Sequence, residues 1–530
     1  MKKSFTFSLI ALVVILVLAT ALRLYKLSEI PAGFFADEAS IGLNSYTILT
    51  NGTDEYGTPY PFFFRALGEY KGPIGVYTTV PFIAIFGLNE FAVRLSSAFF
   101  GVLSIFALYL LVKQLFKHHR HNERIALFAA FFLTISPWHN HFSRVYLEAL
   151  MPFVFFTTLA VYLFLKAQDN ERFLPASMVA FALATYSYFP ARIFVPLFGI
   201  TLFAIFFPFF WNHKRITILS LLILALLLTP LMQHHLNSEG WERWNRVNVF
   251  SHFPGDGSNG ETALQHITNN YLSHFSMDFL FFKGDIGMTN SPSRRHSVRG
   301  MGELYLIQLP FMCLGFLGLF KRKYRTALLI LTIWLLIYPL ADALTADKNA
   351  QATRSIIGVV PFQILSAVGL FLAVEHMSRM QKALYVIGIA SIIIILTLAV
   401  AHYARLYFVE YPLYSSDWGG WQYGARDIIN HFISVEDQYD SLMMAPAFNS
   451  PGIFIRFYSQ NLEKGCTKCA ISQLAEHLTQ ILDPNNKKRE FFANPPSDVG
   501  MLPDYLKFET KKTIYYPDNS TAFIFGEVKR

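Results

Sequence analysis

Charge is scarce in this chain. Only 15% of its 530 residues are Asp, Glu, Lys or Arg, against about a quarter in ordinary soluble proteins. With 53% hydrophobic and 16% aromatic residues and a mean hydropathy of +0.36, that scarcity excludes a soluble globular fold. Cysteine is scarcer still. Three residues, Cys313, Cys466 and Cys469, exclude a disulfide framework. Cys313 sits inside an apolar segment and reads as packing. Cys466 and Cys469 form a lone CxxC, poor evidence for metal or redox chemistry, although an oxidised pair is allowed outside the cytosol. Solenoid repeats and low-complexity tracts are missing too. The formal charge of +8 comes from short Lys/Arg clusters between apolar runs, not from a basic face or tail, which speaks against nucleic acid and makes the clusters reporters of topology.

What is present is apolar length. The run from Phe5 to Leu22 follows Met1-Lys2-Lys3-Ser4 and lacks a convincing small-residue cleavage site, so it is expected to remain as a first span. Further segments lie at 72–88, 90–116, 124–138, 149–167, 172–188, 191–211, 215–236, 303–320, 324–344, 354–375 and 382–404. If all crossed, the clusters around Lys117, Lys166, Lys214, Lys321 and Arg379 would fall outside, against the positive-inside rule. Segment 72–88 is short and holds Pro73 and Pro81; laying it in the outer interface puts every cluster inside. The expectation is an α-helical polytopic membrane protein of about eleven transmembrane helices, multi-pass in the plasma (inner) membrane. Two interfacial helices, about 37–50 and 72–88, would lie in its first external loop. Residues 1–405 would form the membrane domain, with external loops 25–89 and 237–302. Residues 406–530 would form a small extracytoplasmic α/β domain, with mixed-polarity segments such as Gly452–Tyr458 and Thr521–Phe525 beside helical ones at 422–434 and 470–482.

This topology gathers the unusual polar residues on the non-cytoplasmic side and leaves only short connectors inside. A cytosolic nucleotide donor has nowhere obvious to bind, so a substrate delivered through the bilayer is favoured. The most telling stretch is Phe34-Phe35-Ala36-Asp37-Glu38-Ala39. A carboxylate beside the hydrocarbon region is expensive unless it has a partner or a task. Asp37 therefore reads either as a helix N-cap or as a general base. Lys71, in Glu69-Tyr70-Lys71-Gly72-Pro73, either snorkels into headgroups or meets a phosphate as a point charge. Arg144 and Glu148 are spaced i, i+4 at the start of a span, which would put them on one helix face, as a structural pair or a functional one. His139 and His141 suggest zinc only weakly, for want of a clear third ligand. Arg192, in the turn after Tyr186-Ser187-Tyr188, and Arg354, at the start of another span, suit phosphate. So does Arg299, in the basic run Arg294-Arg295-His296-Ser297-Val298-Arg299 that closes the long loop 237–302.

The order of these features, with Asn89-Glu90-Phe91-Ala92-Val93-Arg94-Leu95 and Ser143-Arg144 between them, resembles the C-type glycosyltransferases. The likeness is to glycosyltransferase family 39, the protein O-mannosyltransferases, and to the lipid A aminoarabinose transferases. It covers about residues 1–380 and is densest in 20–200. It implies a catalytic role for Asp37 with Glu38 as its neighbour, a lipid-phosphate contact for Lys71, and a second acid at Glu148, where the family more often has Asp. Arg144, Arg192, Arg299 and Arg354 are the accompanying candidate phosphate ligands. Lys71-Gly72-Pro73 also departs from the family's lysine followed by prolines. The expected activity is an inverting transfer of a sugar from a polyprenyl-phosphate donor to an acceptor hydroxyl on the outer face. The partners would be that donor, a protein, lipid or glycan acceptor and the bilayer, with no certain cofactor and a divalent metal left open. The alternative is a transporter or flippase of a lipid-linked sugar, which would favour internal repeats that this sequence does not display.

Overall fold

A computed structural model of the protein describes residues 2–253, 262–286, 295–460, 466–474 and 488–529. Among them seven helices are long and apolar enough to cross a membrane: Thr6–Leu24, Glu90–Leu115, Leu150–Ala167, Lys214–Leu236, Arg322–Ala343, Ile356–Met377 and Lys382–Ser415. Three of these differ in a way that calls for lipid. Ile356–Met377 is 89% buried in its apolar window, whereas Lys214–Leu236 is 11% buried and Lys382–Ser415 only 6%. A helix that is apolar all round and uncovered by protein is stable only in an apolar solvent. The chain is therefore a multi-pass integral membrane protein. The other predicted crossings are shorter helices: Asn122–Ile135, Leu174–Ser187, Ala191–Ile205 and Gln308–Gly318. The two short helices expected in the first loop are found at Ala36–Asn51 and Pro73–Phe86.

The chain divides into two compact units. The first comprises Met1–Tyr25, Phe62–Gly75 and Ser96–Leu406. It contains a small hairpin, β1 (Phe64–Ala66) and β2 (Glu69–Lys71), with Phe64 opposite Lys71 and Ala66 opposite Glu69. Its two-residue turn, Leu67-Gly68, has positive φ at both positions, +54° and +76°, the backbone that matches the twist of paired strands. Because strand side chains alternate, Glu69 and Lys71 share a face and Tyr70 takes the other. Both shared-face residues are buried.

The second unit comprises Lys26–Pro61, Val76–Leu95 and Tyr407–Arg530. Its sheet has the order β4-β3-β5-β7-β6, built from β3 (Ser441–Met444), β4 (Cys469–Ile471), β5 (Glu490–Asn494), β6 (Lys507–Tyr515) and β7 (Thr521–Lys529). Strands β4, β3 and β5 run parallel, and β7 and β6 complete the sheet antiparallel. Helix Ala425–Val435 buries Ala425, Ile428, Ile429 and Phe432, spaced i, i+3, i+4, i+7, the stripe of a helix lying on a core. Phe432 meets Phe491 of β5 at 6.2 Å between ring centroids. Gly452–Tyr458 is helical, within Pro451–Gln460. Ile453, Phe454 and Phe457 are its buried residues, an i, i+1, i+4 set that fits the helical period and not the strand period. The expected helix 470–482 begins instead as the end of β4, and residues 475–482 lie outside the described residues. Cys466 and Cys469 are joined as a disulfide.

Candidate active site

The acidic pair divides its labour. Helix Ala36–Asn51 is capped at Phe35, which puts Asp37 and Glu38 in its first turn and rules out Asp37 as the N-cap. Carboxylates there are favoured by the positive end of the helix dipole. Glu38 is fully buried. It accepts Arg94 Nε at 2.9 Å on one oxygen and Arg94 Nη2 at 3.0 Å on the other, and also receives the Phe35 N–H at 3.1 Å. Arg94 in turn donates to the carbonyls of Leu27, Pro31 and Gly33 at 3.2, 3.1 and 2.6 Å. Glu38 thus ties the loop before the helix to its first turn. Asp37 is partly exposed.

A small polar cavity lies within the first unit, lined among others by Glu69, Lys71, Glu148, Tyr188, Arg192 and Arg243. Three sequence-predicted residues, Lys71, Glu148 and Arg192, therefore meet. Asp37 belongs to the other unit. Lys71 arrives on the buried face of the hairpin. The next residue is held close to the turn after helix Leu174–Ser187: a Cβ on Gly72 would collide with the Tyr186 carbonyl. That contact leaves room only for glycine at position 72. Tyr186 has its own task. Its hydroxyl donates to Leu227 O at 2.7 Å and accepts Leu231 N–H at 3.2 Å, standing between a donor and acceptor that an unbroken helix would pair directly. Pro230 lies inside that helix, and such insertions accompany proline kinks.

Arg192 opens helix Ala191–Ile205. Its guanidinium lies 5.1 Å from the Phe189 ring and 5.8 Å from that of Phe63, and its buried Nε has no hydrogen-bond partner among the described residues. A guanidinium flanked by rings with an unsatisfied donor, facing a polar cavity, is arranged for an anion.

Glu148 departs from expectation. Residues 144–149 are not helical, and Glu148 has φ +52°, a left-handed conformation that costs a non-glycine residue on the order of 1–3 kcal/mol and recurs at functional sites. The i, i+4 spacing therefore does not pair it with Arg144. Arg144 is fully buried and donates to the carbonyls of Leu22, Arg23 and Tyr25 at 2.8, 2.8 and 2.7 Å, closing the end of the first helix. Glu148 instead lies 3.7 Å from Arg243.

Arg243 was not singled out by its sequence. It lies on helix Glu242–Val247 of the long loop and grips Glu69 with Nη1 at 2.7 and 2.6 Å from the two oxygens. One turn on, Arg246 donates to Gly68 O at 2.5 Å. Burial disfavours the Arg243 charge, but Glu148 and Glu69 outweigh it and hold the guanidinium above its ordinary range. The i, i+3 spacing of Arg243 and Arg246, which puts both on one face of a short helix, was the available signal.

Arg354 lies outside the cavity lining. It bonds Asp342 at 3.1 Å, Thr345 Oγ1 at 2.7 Å and Asp347. Arg299 follows a turn beside a second pocket, lined by His141, His296, Glu303 and Tyr403 among others. His139 Nδ1 contacts Arg23 Nη2 at 2.8 Å, and His141 Nε2 contacts Arg295 O at 2.6 Å. Among the described residues no group of three or more His, Cys, Asp or Glu is placed to hold a metal ion.

Residues 70–233 match the family model described as dolichyl-phosphate-mannose-protein mannosyltransferase. No curated protein matches in sequence. Among solved structures, ArnT from Cupriavidus metallidurans in the apo state matches with a TM-score of 0.53 and 13% identity, covering 99% of this chain and 98% of that one. The same enzyme bound to undecaprenyl phosphate matches at 0.52 and 13%, covering 98% of each chain. The archaeal oligosaccharyltransferase AglB from Archaeoglobus fulgidus, in complex with an inhibitory peptide and a dolichol-phosphate, matches at 0.53 and 14%, over 87% of this chain and 64% of that one. Residues 70–233 are thus similar to that mannosyltransferase family, and the fold of nearly the whole chain is similar to that of ArnT.

Proposed function

We propose that the protein moves a sugar from a polyprenyl-phosphate donor to an acceptor hydroxyl at the non-cytoplasmic face of the plasma (inner) membrane, with inversion. Eleven crossings put residues 25–89 and 237–302 on that face, together with a domain formed by 406–530. The observation that carries the reading is the cavity in which Lys71 and the unsatisfied Arg192 guanidinium meet; two cations in a polar recess suit a phosphate. The undecaprenyl phosphate bound to ArnT and the dolichol-phosphate bound to AglB support that donor class.

In the reaction the acceptor oxygen attacks the anomeric carbon and the bond from that carbon to the phosphate oxygen breaks. The hydroxyl proton passes to the Asp37 carboxylate. The departing polyprenyl phosphate takes the bonding electrons, and its negative charge is met by Lys71 and Arg192. Glu38 acts through position, holding the first turn that carries Asp37. Glu148 and Glu69 keep Arg243 charged and in place beside the phosphate. Arg299 contributes positive potential from outside the lining, Arg354 is neutralised by Asp342 and Asp347 and organises its own loop, and Arg144 fixes the end of the first helix.

The test is turnover of the purified protein with polyprenyl-phosphate sugars. Removing a general base lowers the rate by roughly 10²–10⁴-fold, so Asp37→Asn is expected to lose that much while binding donor normally. Near-native turnover in the variant would take the base away from Asp37.

A further inference from the structure

The second unit holds a roomier groove. One wall is the loop Ser28–Phe34, another the start of helix Ala425–Val435, and Glu90 and Tyr458 close it. The walls are fixed. Arg94 holds the Gly33 carbonyl, and at φ +102° a Cβ on Gly33 would collide with Trp421 O, so this loop can lie so close only as glycine.

The lining carries hydrogen-bonding groups of both signs, the carboxylates of Glu29, Glu90 and Asp427 and the guanidinium of Arg426. Tyr458 OH donates to Glu90 at 2.9 Å. Arg426 lies 3.5 Å from Glu90 and 3.7 Å from Asp427, and Glu29 lies 3.6 Å from Lys26. Three carboxylates against one guanidinium leave the lining net acidic, which disfavours an anion. It offers instead carboxylate acceptors, guanidinium donors and the half-buried Tyr423 ring, side by side. Adjacent hydroxyls of a sugar bond such planar polar groups, and its C–H faces pack on an aromatic ring.

We propose that this groove is the acceptor subsite and that the acceptor is a saccharide, a neutral polyhydroxylated ligand held by Glu90, Arg426 and Asp427. The assignment rests on the reading of Asp37 as the base. Phe34, which lines the groove, precedes Asp37 by three residues, a separation of at most about 11 Å along the chain. A sugar seated there therefore brings its hydroxyls close to the helix turn that would take the proton.

The experiment is saturation-transfer NMR on the full-length protein in detergent with mannotriose, maltotriose and chitotriose. At least one is expected to bind. Hydrogen bonds to charged groups contribute about 1.5–3 kcal/mol, so Glu90→Gln and Asp427→Asn should each weaken binding roughly tenfold or more, with Lys71→Ala binding as the parent does. Asp427 lies at the half-exposed start of its helix, so its variant keeps the test open if Glu90→Gln misfolds. Failure of all three trisaccharides to bind, binding indifferent to Asp427→Asn, or capture of oligolysine in their place would overturn the proposal. Binding needs no turnover: loss of it alongside an Asp37-dependent reaction removes only the groove, whereas an active Asp37→Asn protein removes the base and with it the acceptor role, leaving the groove as a saccharide site.

Discussion

Arg94 and Arg192 stand near the starts of apolar helices with aromatic rings about them, and they have opposite surroundings. Arg94 is fully buried and every guanidinium nitrogen has an acceptor: two carboxylate oxygens and three carbonyls. Its rings, Phe34 at 5.6 Å and Trp421 at 5.8 Å, cover an ion already neutralised. Arg192 has rings at similar distances, but its Nε lacks a partner among the described residues. The difference separates structure from function better than burial does. A saturated guanidinium organises its own surroundings, whereas an unsaturated one at a cavity is prepared for a ligand the chain does not supply.

The comparison breaks most decisively at Arg94. Removing one partner of a buried ion pair leaves the other charge stranded at a cost of about 3–5 kcal/mol. Arg94→Ala should strand Glu38, release the loop from Leu27 to Gly33 and appear as lost monodisperse yield or a large fall in thermal stability. Parent-like stability would mean that the saturated arginine is dispensable, and the contrast would fail. Arg192→Ala is expected to do the reverse. Stability should change little, because no internal hydrogen bond is lost, while affinity for polyprenyl phosphate drops by roughly 10- to 150-fold, the worth of one charged hydrogen bond. Titration calorimetry with the lipid phosphate reads this directly. Unchanged affinity would take the anion away from Arg192.

Much of this contrast was legible in the sequence. Lys71, Glu148 and Arg192 could be chosen from their places at the ends of apolar runs, because a charged group beside hydrocarbon has few inexpensive explanations. The helices Ala36–Asn51 and Pro73–Phe86 followed from amphipathic pattern and from the arithmetic of basic clusters. Pairing was much harder to read. Glu69 and Arg243 are 174 positions apart, and only the packed hairpin and the short helix Glu242–Val247 bring them together. The i, i+4 rule failed for Arg144 and Glu148 because it holds only inside a helix, and the chain there turns through a positive φ. Arg144 is drawn instead to carbonyls at the end of the first helix, which lack intrahelical donors. Its sequence neighbourhood gives no sign of them.

The smallest effect sharpens the contrast from the side of a neutral group. The Tyr186 hydroxyl bridges Leu227 O and Leu231 N–H, and the tyrosine also lines the cavity that holds Arg192. If Tyr186 acts only on the backbone, Tyr186→Phe leaves the freed carbonyl and amide able to bond each other as in a regular helix. The loss should then be that of a replaced hydrogen bond, about 0.5–1.5 kcal/mol, with donor affinity nearly unchanged. If the hydroxyl also holds the phosphate, the same loss of stability is accompanied by a fall in affinity such as Arg192→Ala is expected to show. Thermal stability and lipid-phosphate affinity measured on the same Tyr186→Phe preparation separate the two. A fall in affinity beside that loss would add Tyr186 to the ligands of the cavity as well as its scaffold.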